Sequence, residues 1–146
     1  MFAGRYEYAI DNKSRVSIPA KFREVLSAGY DLRLGLTNLD GCIVAYPVNE
    51  WSSIQERLSA KEPLRTEVRD FLRFYYGGYT ECPVDRLGRV LIPQSLKNYA
   101  GITKNVTIIG MNRSIEIWAQ EVWEDLMAKT TSDRGQMQAI LSELGL

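Results

Sequence analysis

The chain contains no histidine. Imidazole acid–base catalysis, histidine-based triads and His-ligated metal sites are therefore excluded. Cysteine is nearly absent too. Cys42 and Cys82 stand alone in apolar or strand-like settings, without Cys-x-x-Cys spacing. That setting predicts buried structural thiols in a reducing cytosol rather than a disulfide or a metal pair. Net charge is missing: 18 basic residues balance 18 acidic ones, so no overall field draws an anionic partner to a single copy. No apolar run is long enough to span a bilayer, and the opening Met-Phe-Ala-Gly-Arg-Tyr-Glu lacks the apolar core of a signal peptide. A soluble, cytoplasmic protein without membrane contact is expected. A phosphate-cradling glycine motif and a clustered metal-ligand set are lacking as well, so no cofactor, metal or small-molecule substrate is expected.

What is present is a repeat. Asp11-Asn12-Lys13-Ser14-Arg15-Val16-Ser17-Ile18-Pro19 returns as Asp85-Arg86-Leu87-Gly88-Arg89-Val90-Leu91-Ile92-Pro93, with five of nine residues identical. From 11 to 85 the offset is 74, about half of the 146 residues. Upstream, Gly4 and Glu7 match Gly78 and Glu81 in the same register. Downstream the offset falls to 72, so that Ala28-Gly29 faces Ala100-Gly101, Ile43 faces Ile115, Tyr46 faces Trp118 and Trp51 faces Trp123. Matching positions are mostly apolar or glycine, as two halves sharing one backbone and one core require. With 45% apolar residues, the chain can bury a real core as one domain or as two intertwined lobes.

The local pattern predicts an α+β fold. Tyr6 to Ile10 and Arg15 to Ile18 alternate in polarity around a turn-forming Asp-Asn-Lys-Ser, which is a hairpin signal. Pro19 suits the first turn of a helix carrying Phe22, Val25 and Leu26, and Gly29 suits its end. Asp31 to Thr37 and Gly41 to Tyr46 read as strands turned by Asn38 to Gly41. Asn49 is a candidate N-cap for a helix presenting Trp51, Ile54 and Leu58. The second half repeats the order: a Pro93 helix, strands at Val106–Ile109 and Ile115–Trp118, then a helix around Val122, Trp123 and Leu126. Between the copies, Leu64 to Tyr76 forms an amphipathic helix with Val68, Phe71, Leu72 and Tyr75 on one face and Gly77-Gly78 as its stop. A last helix, from about Asp133 to Leu144, carries Met137, Ile140, Leu141 and Leu144 and either folds back or docks on a neighbouring subunit. The organisation is a first repeat at 5–47, a helical connector at 48–75, a second repeat at 76–119 and C-terminal helices at 120–146.

Each turn offers basic side chains: Lys13 and Arg15 in the first copy, Arg86 and Arg89 in the second. A tight turn between strands is a rigid mount, and an arginine fork can take phosphate or a guanine edge bidentately. Asp11 and Asp85 stand four residues before each Arg, placed to cap the turn amides or to orient the guanidinium. Lys21, Arg23 and Lys97 lie close by and add positive charge. The plainer alternative is ordinary turn chemistry, with a surface ion pair worth about 0–1 kcal/mol. A hydrolase built on Asp11 and Asp85 is a further alternative, although no nucleophile or third acid accompanies either carboxylate.

Met-Phe-x-Gly-x-Tyr at the start, the doubled Asp-x-x-x-Arg-Val-x-Ile-Pro and the stretch Gly-Gly-Tyr-Thr-Glu-Cys-Pro-Val-Asp resemble the MraZ family of bacterial transcriptional regulators. The resemblance runs from Met1 to about Trp123. It implies two SpoVT-AbrB-type swapped-hairpin repeats forming a β-barrel pseudo-dimer within one chain, with peripheral helices and assembly into a ring-like homo-oligomer. It further implies a nucleoid-associated protein that binds double-stranded DNA at promoter direct repeats and represses the division and cell-wall gene cluster, its own gene included. On that resemblance Lys13, Arg15, Arg86 and Arg89 contact DNA, and Asp11 and Asp85 orient the loops. A same-fold scaffold or toxin-neutralising protein, in which the C-terminal helix engages a protein and DNA binding is secondary, is the alternative. One departure stands out: Ser14 occupies the position that is glycine in the usual first motif, whereas Gly88 keeps it in the second. If that position requires a positive φ, Ser14 is strained by about 1 kcal/mol or more; if it requires only a close backbone approach to phosphate, the serine hydroxyl instead donates a hydrogen bond.

Overall fold

A computed structural model describes residues 1–29, 32–61 and 65–146. The expected start of a strand at Asp31 and of the connector helix at Leu64 lie outside the described residues. In chain order the elements are β1 (Arg5–Ala9), β2 (Arg15–Ser17), α1 (Ala20–Gly29), β3 (Arg33–Leu39), β4 (Cys42–Pro47), α2 (Val48–Ser59) and α3 (Thr66–Gly77), followed by β5 (Thr80–Pro83), β6 (Arg89–Leu91), α4 (Gln94–Ala100), β7 (Asn105–Met111), β8 (Ser114–Ala119), α5 (Gln120–Ser132) and α6 (Arg134–Leu144). The class is α+β with antiparallel pairing throughout.

Local chemistry explains the punctuation. Pro19 and Pro93 immediately precede α1 and α4, where a fixed φ suits a helix entrance. Asp40 and Gly41 take φ of 56° and 83°, the paired left-handed conformation that turns β3 tightly into β4. Asn112 at φ 67° opens the corresponding turn between β7 and β8. Asn49 is not the cap of α2: the helix already begins at Val48 behind Pro47, which makes no side-chain cap hydrogen bond. Proline's fixed geometry starts this helix two residues too early for Asn49 to serve.

The pairing overturns the simple hairpin reading of the two repeated motifs. β1 does not ladder with β2; it pairs with β7, matching Arg5 to Ile109 through Ala9 to Asn105. β2 pairs instead with β6, its counterpart from the other half, with Val16 facing Val90. The reason is that a three-residue arm makes too few ladder bonds to stand as a local hairpin. Exchanged between halves, the arms bury Val16 and Val90 completely in a common core.

The remaining strands form an open six-stranded sheet in the order β1-β7-β8-β4-β3-β5. Replacing each strand by its equivalent in the other half reverses this order onto itself. A pseudo-twofold axis therefore passes between Val16 and Val90 in the ribbon, and between Val44 and Glu116 where β4 meets β8. One apolar cluster joins sheet, ribbon and helices, including Phe22, Leu26, Leu34, Leu36, Leu96, Ile108 and Ile117. Cys42 and Cys82 are buried free thiols, and burial raises the pKa of both.

The helices outside this core pack unevenly. α3 is held on β3 by Thr37, whose hydroxyl donates to the Tyr75 carbonyl, and by the Asn38 amide donating to the Phe74 carbonyl at 3.0 Å. Of its expected apolar stripe only Tyr75 is buried, and Phe71 stays 44% exposed. α6 has no buried residue.

Leu36 and Ile108 are equivalent positions, both without exposed surface. Leu36→Ala and Ile108→Ala are each expected to cost about 2–5 kcal/mol. Because the strands interleave, urea unfolding of either variant, followed by circular dichroism and tryptophan fluorescence, should remain a single coincident transition. Two separated transitions would mean that the halves are independent domains.

Candidate nucleic-acid interface

The antiparallel ribbon puts alternate residues on opposite faces. Val16 and Val90 point into the core, so Arg15, Ser17, Arg89 and Leu91 share the outward face. Arg15 is registered with Leu91, and Ser17 with Arg89. The turns leading into the ribbon, 11–14 and 85–88, lie beside it because the exchanged arms bond across the axis. The Ile18 N–H donates to the Gly88 carbonyl, and the Ile92 N–H donates to the Ser14 carbonyl, both at 2.8 Å.

Each turn is built around its aspartate. The Asp11 carboxylate accepts from the N–H groups of Lys13 and Arg15, both at 2.9 Å, and from Arg15 Nε at 2.6 Å. Asp85 repeats the pattern, accepting from the Leu87 N–H at 2.9 Å, the Arg89 N–H at 2.8 Å and Arg89 Nε at 3.0 Å. One oxygen ties the turn and the other holds Nε, which leaves the terminal amino groups of the guanidinium to other partners. Charge-assisted bonds of this kind fix a long side chain that would otherwise sample many rotamers.

The two clamps touch. Arg89 Nη1 lies 3.9 Å from Asp11, so the second repeat's arginine reaches the first repeat's carboxylate. Both carboxyls are held below the usual aspartate range. For Asp11 the Arg15 N–H is the main cause, helped by the Arg15 guanidinium and the Lys13 N–H. For Asp85 the Arg89 N–H leads in the same way, helped by the Arg89 guanidinium and the Leu87 N–H. A pair of acids for hydrolysis needs one carboxyl raised. These two are both lowered, and an arginine stands between them. Among the described residues no group of three or more potential metal ligands clusters anywhere.

Lys13 and Arg86 are exposed on the turns, while Arg15 and Arg89 are partly covered, with 28% and 27% of their side-chain surfaces accessible. Lys21 is exposed on α1. Arg23 and Lys97, equivalent residues of α1 and α4, also hold the turns in place. Arg23 donates from Nε to the Ile18 carbonyl at 3.1 Å and lies over Gly88. Lys97 donates to the Ser14 hydroxyl at 3.0 Å. Each helix thus braces the other repeat's turn.

The contested turn position does need a positive φ: Ser14 adopts 62° and Gly88 adopts 79°. A Cβ at Gly88 would stand 2.6 Å from Arg23 Nε, so glycine there answers both backbone and neighbour. Ser14 carries the strain of a left-handed residue and gains the Lys97 hydrogen bond.

Two exposed apolar residues of this surface escape a search for basic residues. Leu87 and Leu91 are 66% and 60% exposed, on the second turn and on the outward ribbon face. Their equivalents are Lys13 and Ser17. The comparison of repeats held the signal, since these are positions where the copies differ in kind.

Among known families, the profile described as "MraZ protein, putative antitoxin-like" matches residues 1–74 and again 75–140. The chain is 40% identical over 146 residues to the transcriptional regulator MraZ of Caldicellulosiruptor saccharolyticus, covering both chains in full. It is 40% identical over the same length to the protein of that name from Syntrophomonas wolfei, again covering both in full. Identity is 44% over 130 residues to the one from Caldanaerobacter subterraneus, covering 89% of each chain.

Two measurements check the turn chemistry. An aspartate with a lowered native pKa contributes stability that is complete above the unfolded value and is lost as pH falls through the native one. Carbon-detected NMR titration should therefore give Asp11 and Asp85 midpoints below the ordinary value of about 3.9. Arg15→Ala should raise the Asp11 midpoint only in part, because the residue-15 N–H remains. Separately, Gly88→Ala should lower stability by about 1–2 kcal/mol in urea titration. Ser14→Gly should change it by less, as released strain offsets the lost Lys97 bond. Equal and opposite shifts would remove Arg23 and Lys97 from the account.

Proposed function

The chain belongs to the MraZ family, and from that premise we propose that it is a DNA-binding transcriptional regulator reading duplex DNA with the β2–β6 ribbon and its two turns. The observation that carries this reading is the pair of Asp-clamped arginines on one outward face. A two-stranded ribbon fits the major groove, about 12 Å wide, and an arginine held at Nε can still present a fork to guanine. Arg15 and Arg89 take the base-reading role, and Lys13 and Arg86 contact phosphate. Asp11 and Asp85 orient the loops, since a carboxylate facing phosphate would repel it.

On this reading residues 5–47 and 76–119 are SpoVT-AbrB-type repeats of a swapped-hairpin barrel, joined by 48–75 and followed by 120–146. The interleaved pairing and the core shared by sheet and ribbon support that architecture. The neutral chain has few phosphate contacts, so affinity comes from several copies acting together in a ring-like homo-oligomer on promoter direct repeats. Such avidity raises affinity by about 10²–10⁴ without new contacts. Occupying the promoter of the division and cell-wall genes, its own included, represses them, and the protein works at the nucleoid.

Binding to a labelled fragment of the gene's own upstream DNA, set against a scrambled fragment across a salt series, tests the reading. The natural protein should prefer its upstream DNA with a steep salt slope. Arg15→Ala with Arg89→Ala should abolish the preference, at about 1–3 kcal/mol per arginine, while oligomer mass is unchanged. Lys13→Ala should weaken both fragments alike and lower the slope by about 1. If the double variant binds as before, or its assembly collapses, the arginines are structural.

A further inference from the structure

The C-terminal helix α6 has Met137, Ile140, Leu141 and Leu144 along one face, at the spacing of a packed helix. Yet these residues are 39%, 44%, 38% and 66% exposed, and every one of residues 131–146 is exposed. Its principal contact within the chain is with α5.

The first half shows what such a helix does when it can turn back. There, α2 and α3 are separated by residues 60–65. α3 returns to the sheet, where Tyr75 meets Trp51 with ring centres 5.3 Å apart and donates its hydroxyl proton to that of Tyr46 at 2.9 Å. In the second half the corresponding helices, α5 and α6, are separated by Asp133 alone. That residue is committed as the cap of α6, its carboxylate accepting from the Gln136 N–H at 3.0 Å. Two helices need a connection of about 2–5 residues to lie antiparallel, so α6 cannot fold back along α5.

The surface such a helix would cover remains open. Trp118 is the equivalent of Tyr46, and with Val122 and Leu126 it floors a groove of about 640 Å³ beside α5. Asp40, Glu116 and Asp125 rim this groove, and Lys129 stands at its far end. α6 has the complementary order, with Arg134 in its first turn and Glu143 in its last. From Val122 to Lys129 and from Arg134 to Glu143 the helical rise is of similar length, on the order of 10–14 Å.

We infer that the Trp118–Val122–Leu126 groove is the seat of α6 from a second copy of this chain. The donated helix runs parallel to α5, with Ile140 and Leu141 against Leu126, Arg134 toward the acidic rim and Glu143 toward Lys129. The inference rests on the homo-oligomer reading above and supplies its joint. Passed from copy to copy the joint closes a ring, and exchanged between two copies it closes a dimer.

Three full-length proteins test it. Ile140→Asp with Leu141→Asp leaves the buried core untouched, and light scattering should give the mass of one chain, 16.6 kDa, with the far-ultraviolet dichroism unchanged. Equimolar Leu126→Cys and Ile140→Cys proteins, mixed and mildly oxidised, should form a disulfide-linked pair of one chain of each kind. Reaction of Cys42 and Cys82 is prevented by burial. Survival of the full oligomer in the double aspartate protein, or no mixed pair, overturns the α6 seat while leaving the oligomer in place. A natural protein already at single-chain mass overturns both the seat and the assembly reading. DNA preference, measured on a single-site duplex, stands or falls separately.

Discussion

The Val16–Val90 contact is the constraint on which the rest of the molecule depends. Three residues on each side make a ribbon too short to survive alone, and it exists because both valines lose all solvent contact in the common core. The exchange that buries them also crosses the Ile18 and Ile92 amides to the opposite turns. Two turns 74 residues apart in sequence thereby become neighbours, close enough for Arg89 to approach Asp11. Both turns are thereby anchored on the core beneath the ribbon.

Electrostatics then refine what packing has placed. An exposed Asp–Arg pair contributes little to stability in water. Its value here is positional, because three donors converge on each carboxylate and remove the freedom of both turn and side chain. A chain with no net charge can still present a concentrated basic edge when its carboxylates are spent on holding arginines rather than facing outward. Arg23 and Lys97 extend the economy by supporting the turns from below.

The sequence made the repeat, the α+β order and the turn residues legible, because each depends on local signals: an offset match, prolines before helices, and Asp-Gly at a tight turn. The pairing partner of each motif strand was not. Alternation in Arg15–Ile18 fixes which residues face inward, yet carries no address for the strand alongside, and proximity in sequence favoured the wrong neighbour. Asn49 failed as a cap because Pro47 sets the backbone first. The Asp–Arg clamp was readable from its four-residue spacing. Its bridging across the repeats through Arg89, and the bracing by Arg23 and Lys97, depend on tertiary exchange and could not be read locally. Ser14 was the exception, a departure visible in the letters whose φ of 62° follows from the turn.

The pseudo-twofold axis holds for the backbone and fails at the surface. Lys13 stands where the other half has Leu87, Ser17 where it has Leu91, and Ser14 where it has Gly88. Two identical chains around such an axis would present the same chemistry in both directions and so suit a palindrome. Here the halves are covalently joined and free to diverge, so rotating the ribbon by half a turn places leucine where serine was. On the proposed reading, the ribbon therefore has a front and a back along the duplex, and a site that engages it well in one orientation should engage it poorly in the other.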